Sequence, residues 1–243
     1  MYNLFRKELV SFFSSLTGYI VIIIFLLSTG LFMWVFPGDL NILNMGYAHV
    51  APLFSIAPWV FLFLAPAVTM RMFSEEAKSG TLNLLLTKPI SDFQIVAAKY
   101  LAGLSIVILS LIPTLIYYFS VHQLASPVGN IDHGATIGSY LGLFFLASIY
   151  VAIGIFSSSL SQNQIVAFLI ALVLSFFVFV GFESLGTLTG NYEIGYYFRQ
   201  MGINEHYQSI SRGVIDSRDI IYFISIVILF LLFTKTKLQS RKW

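Results

Sequence analysis

The chain contains no cysteine, which excludes disulfides, zinc–thiolate sites and thiol nucleophiles at once. Charge is nearly as scarce. Asp, Glu, Lys and Arg make up 10% of the 243 residues, against about 25% in an ordinary soluble domain. No G-x-x-x-x-G-K-[ST] occurs to hold ATP in a Walker loop, and no H-E-x-x-H occurs to hold zinc. The four histidines, His49, His122, His133 and His206, are scattered, and Asp132-His133 is the nearest approach to a ligand pair. Isolated loop histidines are usually solvated, so no metal site, catalytic residue or cofactor is expected. What the chain has in excess is apolar surface, at 58% of residues. A lipid solvent accounts for that economically.

Six apolar runs of membrane length follow one another, at about 19–36, 53–70, 100–120, 135–156, 165–182 and 220–233. The first closes on Trp34, an interfacial aromatic, before Pro37, Gly38 and Asp39. Pro58 and Pro66 interrupt the second and Pro113 the third; each frees a backbone carbonyl that a neighbour must satisfy. Ser91 and Gln94 form an S-x-x-Q capping box, so the third helix is predicted to start at Ser91. The fourth run carries Gly138-x-x-x-Gly142, then Ser148, Ala152 and Gly154, a spacing that lets helices approach closely within the chain or between copies. Asp216 and Asp219 stand where acids favour a helix start.

Ahead of the first run, residues 1–16 place Tyr2, Phe5, Leu9, Phe12, Phe13 and Leu16 at helical spacing, with Arg6 and Lys7 mostly on the other side. That pattern predicts a helix lying in the membrane interface. A signal peptide is not expected, because the apolar run is too long and lacks a small-residue cleavage site.

Basic residues set the orientation. Arg6, Lys7, Arg71, Lys78, Lys88, Lys99, Lys235, Lys237, Arg241 and Lys242, ten of thirteen, fall on one side; Arg199, Arg212 and Arg218 fall on the other. The positive-inside rule therefore predicts both termini in the cytosol. The expected fold is an all-α polytopic membrane protein of six transmembrane helices, one unit over 1–243. It has an interfacial helix at 1–16, a cytosolic loop at 71–100 and an outer loop at 183–217. No charge falls at hydrocarbon depth, which argues against a proton-coupled carrier, and no polar ring suggests a channel. With no energy source of its own, the chain is expected to be driven by a partner.

The one long charged passage between apolar runs is Arg71 to Tyr100, with four basic and three acidic residues. Within it Thr81 to Thr87, TLNLLLT, sets Leu82, Leu85 and Leu86 on one side of a short helix, between Gly80 and Lys88-Pro89. Such a face must be buried, either against the chain's own spans or in a cleft on another protein.

Glu76-Ala-Lys-Ser-Gly-Thr-Leu-Asn-Leu-Leu-Leu-Thr-Lys-Pro-Ile-Ser, followed by Ile95-Val-Ala-Ala-Lys99-Tyr, resembles the signature loop of ABC-2 type transporter permeases. Ser211-Arg-Gly-Val-Ile-Asp-Ser-Arg-Asp219 resembles the corresponding outer-loop motif of one bacterial branch, and within that branch the chain looks most like the gliding-motility-associated permease subunits. The resemblance extends along essentially the whole chain. It implies a multi-pass permease of the bacterial inner membrane, itself no enzyme, serving an ATP-driven exporter linked to gliding motility. Copper-maturation-type and drug-export permeases look similar, and a non-transporting scaffold for a motility or secretion machine would use the same loop. By position, Glu76, Gly80, Thr81, Leu82, Leu85 and Leu86 would form the coupling helix that meets a separate ABC ATP-binding subunit. The other implied partners are a second permease copy or another membrane subunit, and the lipid bilayer; no nucleic acid is expected. No residue is assigned to substrate.

Overall fold

The computed structural model describes every residue except Lys88, Asn191 and 241–243, and every described side chain except those of Thr17 and Leu86. Lys88, Arg241 and Lys242, which contribute to the orientation argument, thus lie outside the described residues. Among those described, the regular structure is helical throughout. The helices are α1 (Tyr2–Phe13), α2 (Leu16–Trp34), α3 (Ala51–Thr69), α4 (Arg71–Lys78), α5 (Thr81–Leu86), α6 (Asp92–Leu111) and α7 (Leu115–Leu124). After these come α8 (His133–Leu160), α9 (Gln164–Phe176), α10 (Phe182–Leu188), α11 (Tyr192–Met201), α12 (Ile203–Ser211) and α13 (Ser217–Gln239).

Five continuous helices are long and apolar enough to cross a membrane: Ala51–Lys78, Asp92–Leu124, His133–Leu160, Gln164–Leu188 and Ser217–Gln239. Tyr2–Phe13 and Gly18–Trp34, bent by 68°, make a sixth when taken together. The chain is an all-helical polytopic membrane protein.

The spans exceed the apolar runs, because nothing stops a helix where hydropathy falls. Residues 71–78, expected as loop, continue the second span as α4, since no proline or glycine intervenes before Gly80. Likewise 183–217, expected as a loop with one helical piece, holds three helices, α10 to α12. The third span starts as predicted. Ser91 Oγ accepts the Gln94 N–H at 3.3 Å and Gln94 Oε1 accepts the Ser91 N–H at 3.2 Å. Pro113 loosens that span into a 3-10 turn, Ile112–Thr114, and the fifth passes through a π-turn, Phe177–Gly181.

α8 is the central post. Its apolar window is 78% buried within the chain, whereas that of α13 is 22% buried and leaves most of its length uncovered by the chain. Small residues let the neighbours close on it. A Cβ on Gly154 would stand 2.0 Å from Thr69 Oγ1, and one on Gly138 would stand 2.6 Å from the Ile210 carbonyl. The small-residue spacing in α8 thus packs helices of one chain. Ser158 then fastens the α3–α4 junction, donating to the Met70 carbonyl and accepting the Phe73 N–H at 3.0 Å.

At the opposite end α12 leans on α3. Pro58 lacks the N–H that would have bonded the Phe54 carbonyl four residues back. Tyr207 supplies the missing donor, its hydroxyl 2.7 Å from Phe54 O.

Candidate functional site

Residues 71–100 fold from their own local signals. Arg71–Lys78 carries its charge with Lys78 in the last turn, where it favours the helix dipole. Gly80 then adopts a left-handed φ of +75°, open to glycine without steric cost, and starts α5. Helical spacing puts Leu82 and Leu85 on one face, and that face is buried in the chain's own core at 2% and 9% exposure. The leucine that faces outward is Leu84, 66% exposed, which sequence spacing did not single out. Thr81 is also exposed, its hydroxyl 2.8 Å from that of Ser79. The Leu86 side chain lies outside the described residues.

Glu76 does not project toward solvent. It is the hub of a charge cluster that ties three parts of the chain together. Its Oε1 accepts from Lys7 Nζ of α1 at 2.9 Å, and its Oε2 stands 2.9 Å from Lys99 Nζ of α6 as an ion-pair partner. Lys99 is fully buried. Its ammonium donates to Glu8 Oε1 at 2.7 Å and to the Met72 carbonyl at 2.6 Å, with the Phe73 ring centroid 5.0 Å away. Two ammonium groups and two carboxylates therefore alternate, and the buried cation has acceptors for its N–H groups. Arg71 Nη2 adds a bond to Ser15 Oγ at 3.0 Å, between α4 and the α1–α2 bend.

Sequence reasoning put Glu76 and Lys99 in one charged passage, 71–100, but missed that they stand on two helices that meet, and missed the part of Glu8. A signal was present. Lys99 continues the buried stripe of Ile95, Val96, Ala102, Gly103 and Ile106, so a cation on that face had to find an acid.

The opposite end holds a cavity of about 730 Å³ between α3, the π-turn and α12. Phe54, Pro58, Trp59, Phe179 and Tyr207 supply its aromatic and apolar walls, and Glu183, Asn204 and Arg212 its polar groups. Glu183 Oε2 accepts from Asn204 Nδ2 at 2.7 Å. Burial pushes the Tyr207 phenol up from its ordinary pKa, so it stays a hydrogen-bond donor at any physiological pH. Functional π-turns are common beside such sites.

One expectation fails here. His206 is not a solvated loop histidine: it is buried, with Nδ1 2.6 Å from Asp219 Oδ1 and Nε2 2.9 Å from the Gln200 carbonyl. Its ring stacks on Tyr222 at a centroid distance of 3.9 Å. The sequence admits a polar helical piece over Arg199 to Arg212, but not that it has a buried face, which Ile203, His206, Tyr207 and Ile210 of α12 share. His133 is not isolated either; its Nδ1 lies 2.8 Å from the Tyr118 hydroxyl. Asp216 caps α13 as anticipated, accepting the Arg218 N–H at 2.8 Å.

A family model described as ABC-2 family transporter protein matches residues 2–215, from α1 to the turn before α13. No curated protein matches the chain.

Proposed function

Because the chain belongs to the ABC-2 family of transporter proteins, we propose that it is the permease subunit of an exporter worked by a separate ATP-binding subunit through residues 76–89. Membership of that family makes the chain a multi-pass membrane transport subunit, and it brings an ABC ATP-binding partner with it. The finer reading concerns how the two are coupled. Its main support is the Glu76–Lys99 cluster, which gives a push on α4–α5 a stiff route into α1 and α6 at once.

In this reading both termini and residues 71–100 face the cytosol of a bacterial inner membrane, as the basic residues favour. Gly80 turns the chain, Leu82 and Leu85 anchor α5 to the body, and Leu84 and Thr81 meet the partner. Leu86 is assigned to the same element by resemblance alone. When ATP draws the partner subunits together, α4 carries α3 with it, because the two form one helix of 28 residues. A second permease copy or another membrane subunit completes the pathway. The aromatic-walled cavity beneath α12 suits a transported molecule, and the 211–219 motif favours a place among gliding-motility permeases.

Leu84→Asp tests the coupling. Exposed positions change stability by about 0.5 kcal/mol or less, so the variant should insert at wild-type yield while losing co-purification with the ATP-binding subunit. Undiminished co-purification would overturn the assignment of this surface. Because the chain has no cysteine, a single Ser79→Cys can be labelled from either face of sealed vesicles to check the orientation.

A further inference from the structure

The final turns of α8 and α13 leave a groove between them. It has a volume of about 560 Å³ and is lined by Phe156 and Leu160 of α8 and by Phe233, Thr236, Lys237 and Ser240 at the end of α13. These positions are four apart on α8 and three, four and seven apart on α13, so each helix contributes one stripe. The Phe156 ring lies 5.8 Å from the rings of both Phe230 and Phe233, which closes the deeper end with aromatic carbon. One turn later stands the half-buried Lys237, with Lys235 two residues before it.

These two lysines differ from the other cations at their end of the bundle. Lys7 and Lys99 each meet a carboxylate at 2.9 Å or closer. Neither Lys235 nor Lys237 has an acidic partner among the described residues. The acids of this end, Glu8, Glu75, Glu76 and Asp92, stand on α1, α4 and α6, whereas α8, residues 161–164 and the second half of α13 contribute none. A helix of 23 residues such as α13 is about 35 Å long, against roughly 30 Å of hydrocarbon. Its last turn, which carries Lys237, therefore reaches the level of the lipid headgroups.

We propose that this groove binds an anionic phospholipid, one acyl chain lying along Phe156, Leu160 and Phe233 and the phosphate resting against Lys237. The occupant has to be apolar at one end and negative at the other, and to lie beside a membrane span. A phospholipid has that form and a soluble anion does not. The Lys237 stem covers apolar surface while its ammonium reaches the headgroup. The hydroxyls of Thr236 and Ser240 already donate to the carbonyls of Phe233 and Lys237, both at 2.9 Å, so the ammonium is the donor the phosphate meets. Lys235 adds a second unneutralised charge, which favours a net-negative headgroup over one that carries its own ammonium.

The test is native mass spectrometry of the full chain in detergent, titrated with phosphatidylglycerol or with phosphatidylcholine of the same acyl chains. The first phosphatidylglycerol should bind at lower concentration than the first phosphatidylcholine. Lys237→Gln should weaken phosphatidylglycerol about fivefold, the effect of one lysine at a lipid surface, and leave phosphatidylcholine unchanged, while Lys237→Arg keeps the preference. Arg6→Gln removes the same charge from an exposed position on α1 and should leave binding at the wild-type level. Equal affinity for the two lipids, or wild-type affinity in Lys237→Gln, overturns the site. Equal losses in Arg6→Gln and Lys237→Gln would reduce it to general charge attraction, and displacement of the lipid by glycerol 3-phosphate would make it a site for a soluble anion; either result also overturns it. Neither nucleotide nor ATP-binding subunit enters the measurement, so its outcome is independent of the coupling assignment.

Discussion

The Lys99 end and the Tyr207 end of the bundle are tied by opposite means. At the first, four charges alternate around a buried ammonium, and each neutralises its neighbours. At the second, most ties are neutral: Tyr207 to Phe54 O at 2.7 Å, Ser139 to Ser211 O at 3.1 Å and Tyr222 to Met201 O at 2.6 Å. Removing one member of a buried charge cluster strands the rest, whereas each neutral bond is worth about 1 kcal/mol net. One end is thus built to move as a block and the other to give way in steps. That division suits a body pushed at one end and opened at the other.

The sharpest way to break the contrast is Lys99→Ala. It leaves Glu8 and Glu76 facing each other without their shared cation, and about 3–5 kcal/mol of stability should go. Thermal unfolding in detergent measures it, and a loss no larger than that of an ordinary surface change would place the strength of this end elsewhere. Tyr207→Phe should cost less, on the order of 1–3 kcal/mol, because it strands the Phe54 carbonyl. That cost has a specific signature. Pro58→Ala restores the N–H within α3, so the double variant should recover most of it, and additive losses would separate the two residues.

The smallest expected effect concerns His49, whose Nδ1 accepts the Ala51 N–H at 3.1 Å at the start of α3. Burial holds its pKa below the ordinary 6.5. The folded state thus binds the proton less readily than the unfolded chain, so the contribution is complete above pH 6.5 and fades as pH falls below it. His49→Asn, which accepts without titrating, should flatten that acid-side slope slightly in paired melting curves.

How much of this was legible depends on how far apart the partners lie. The apolar runs and the Ser91–Gln94 cap are local, and both were readable. The leucine face of α5 was readable as a face, but not what covers it, because Leu82 and Leu85 meet a core assembled from distant helices. Glu8 and Lys99 are separated by 91 positions, and only folding brings them together. His206 was misread for a nearer reason. Polar residues around it made the helical piece at 199–212 look solvated, although Ile203, His206, Tyr207 and Ile210 keep the spacing of one buried face. A polar residue on such a stripe is itself the sign of a buried partner, and Asp219 was one turn into the next helix.

The Tyr207–Phe54 bond also sets an order of events during biosynthesis. The ribosome emits the second span about 150 residues before it emits the tyrosine that completes it. Until then the span carries an open carbonyl in its first turns, the same unpaired group that Tyr207→Phe would leave. The bend at Pro58 is therefore completed only when α12 has been made and packed against α3.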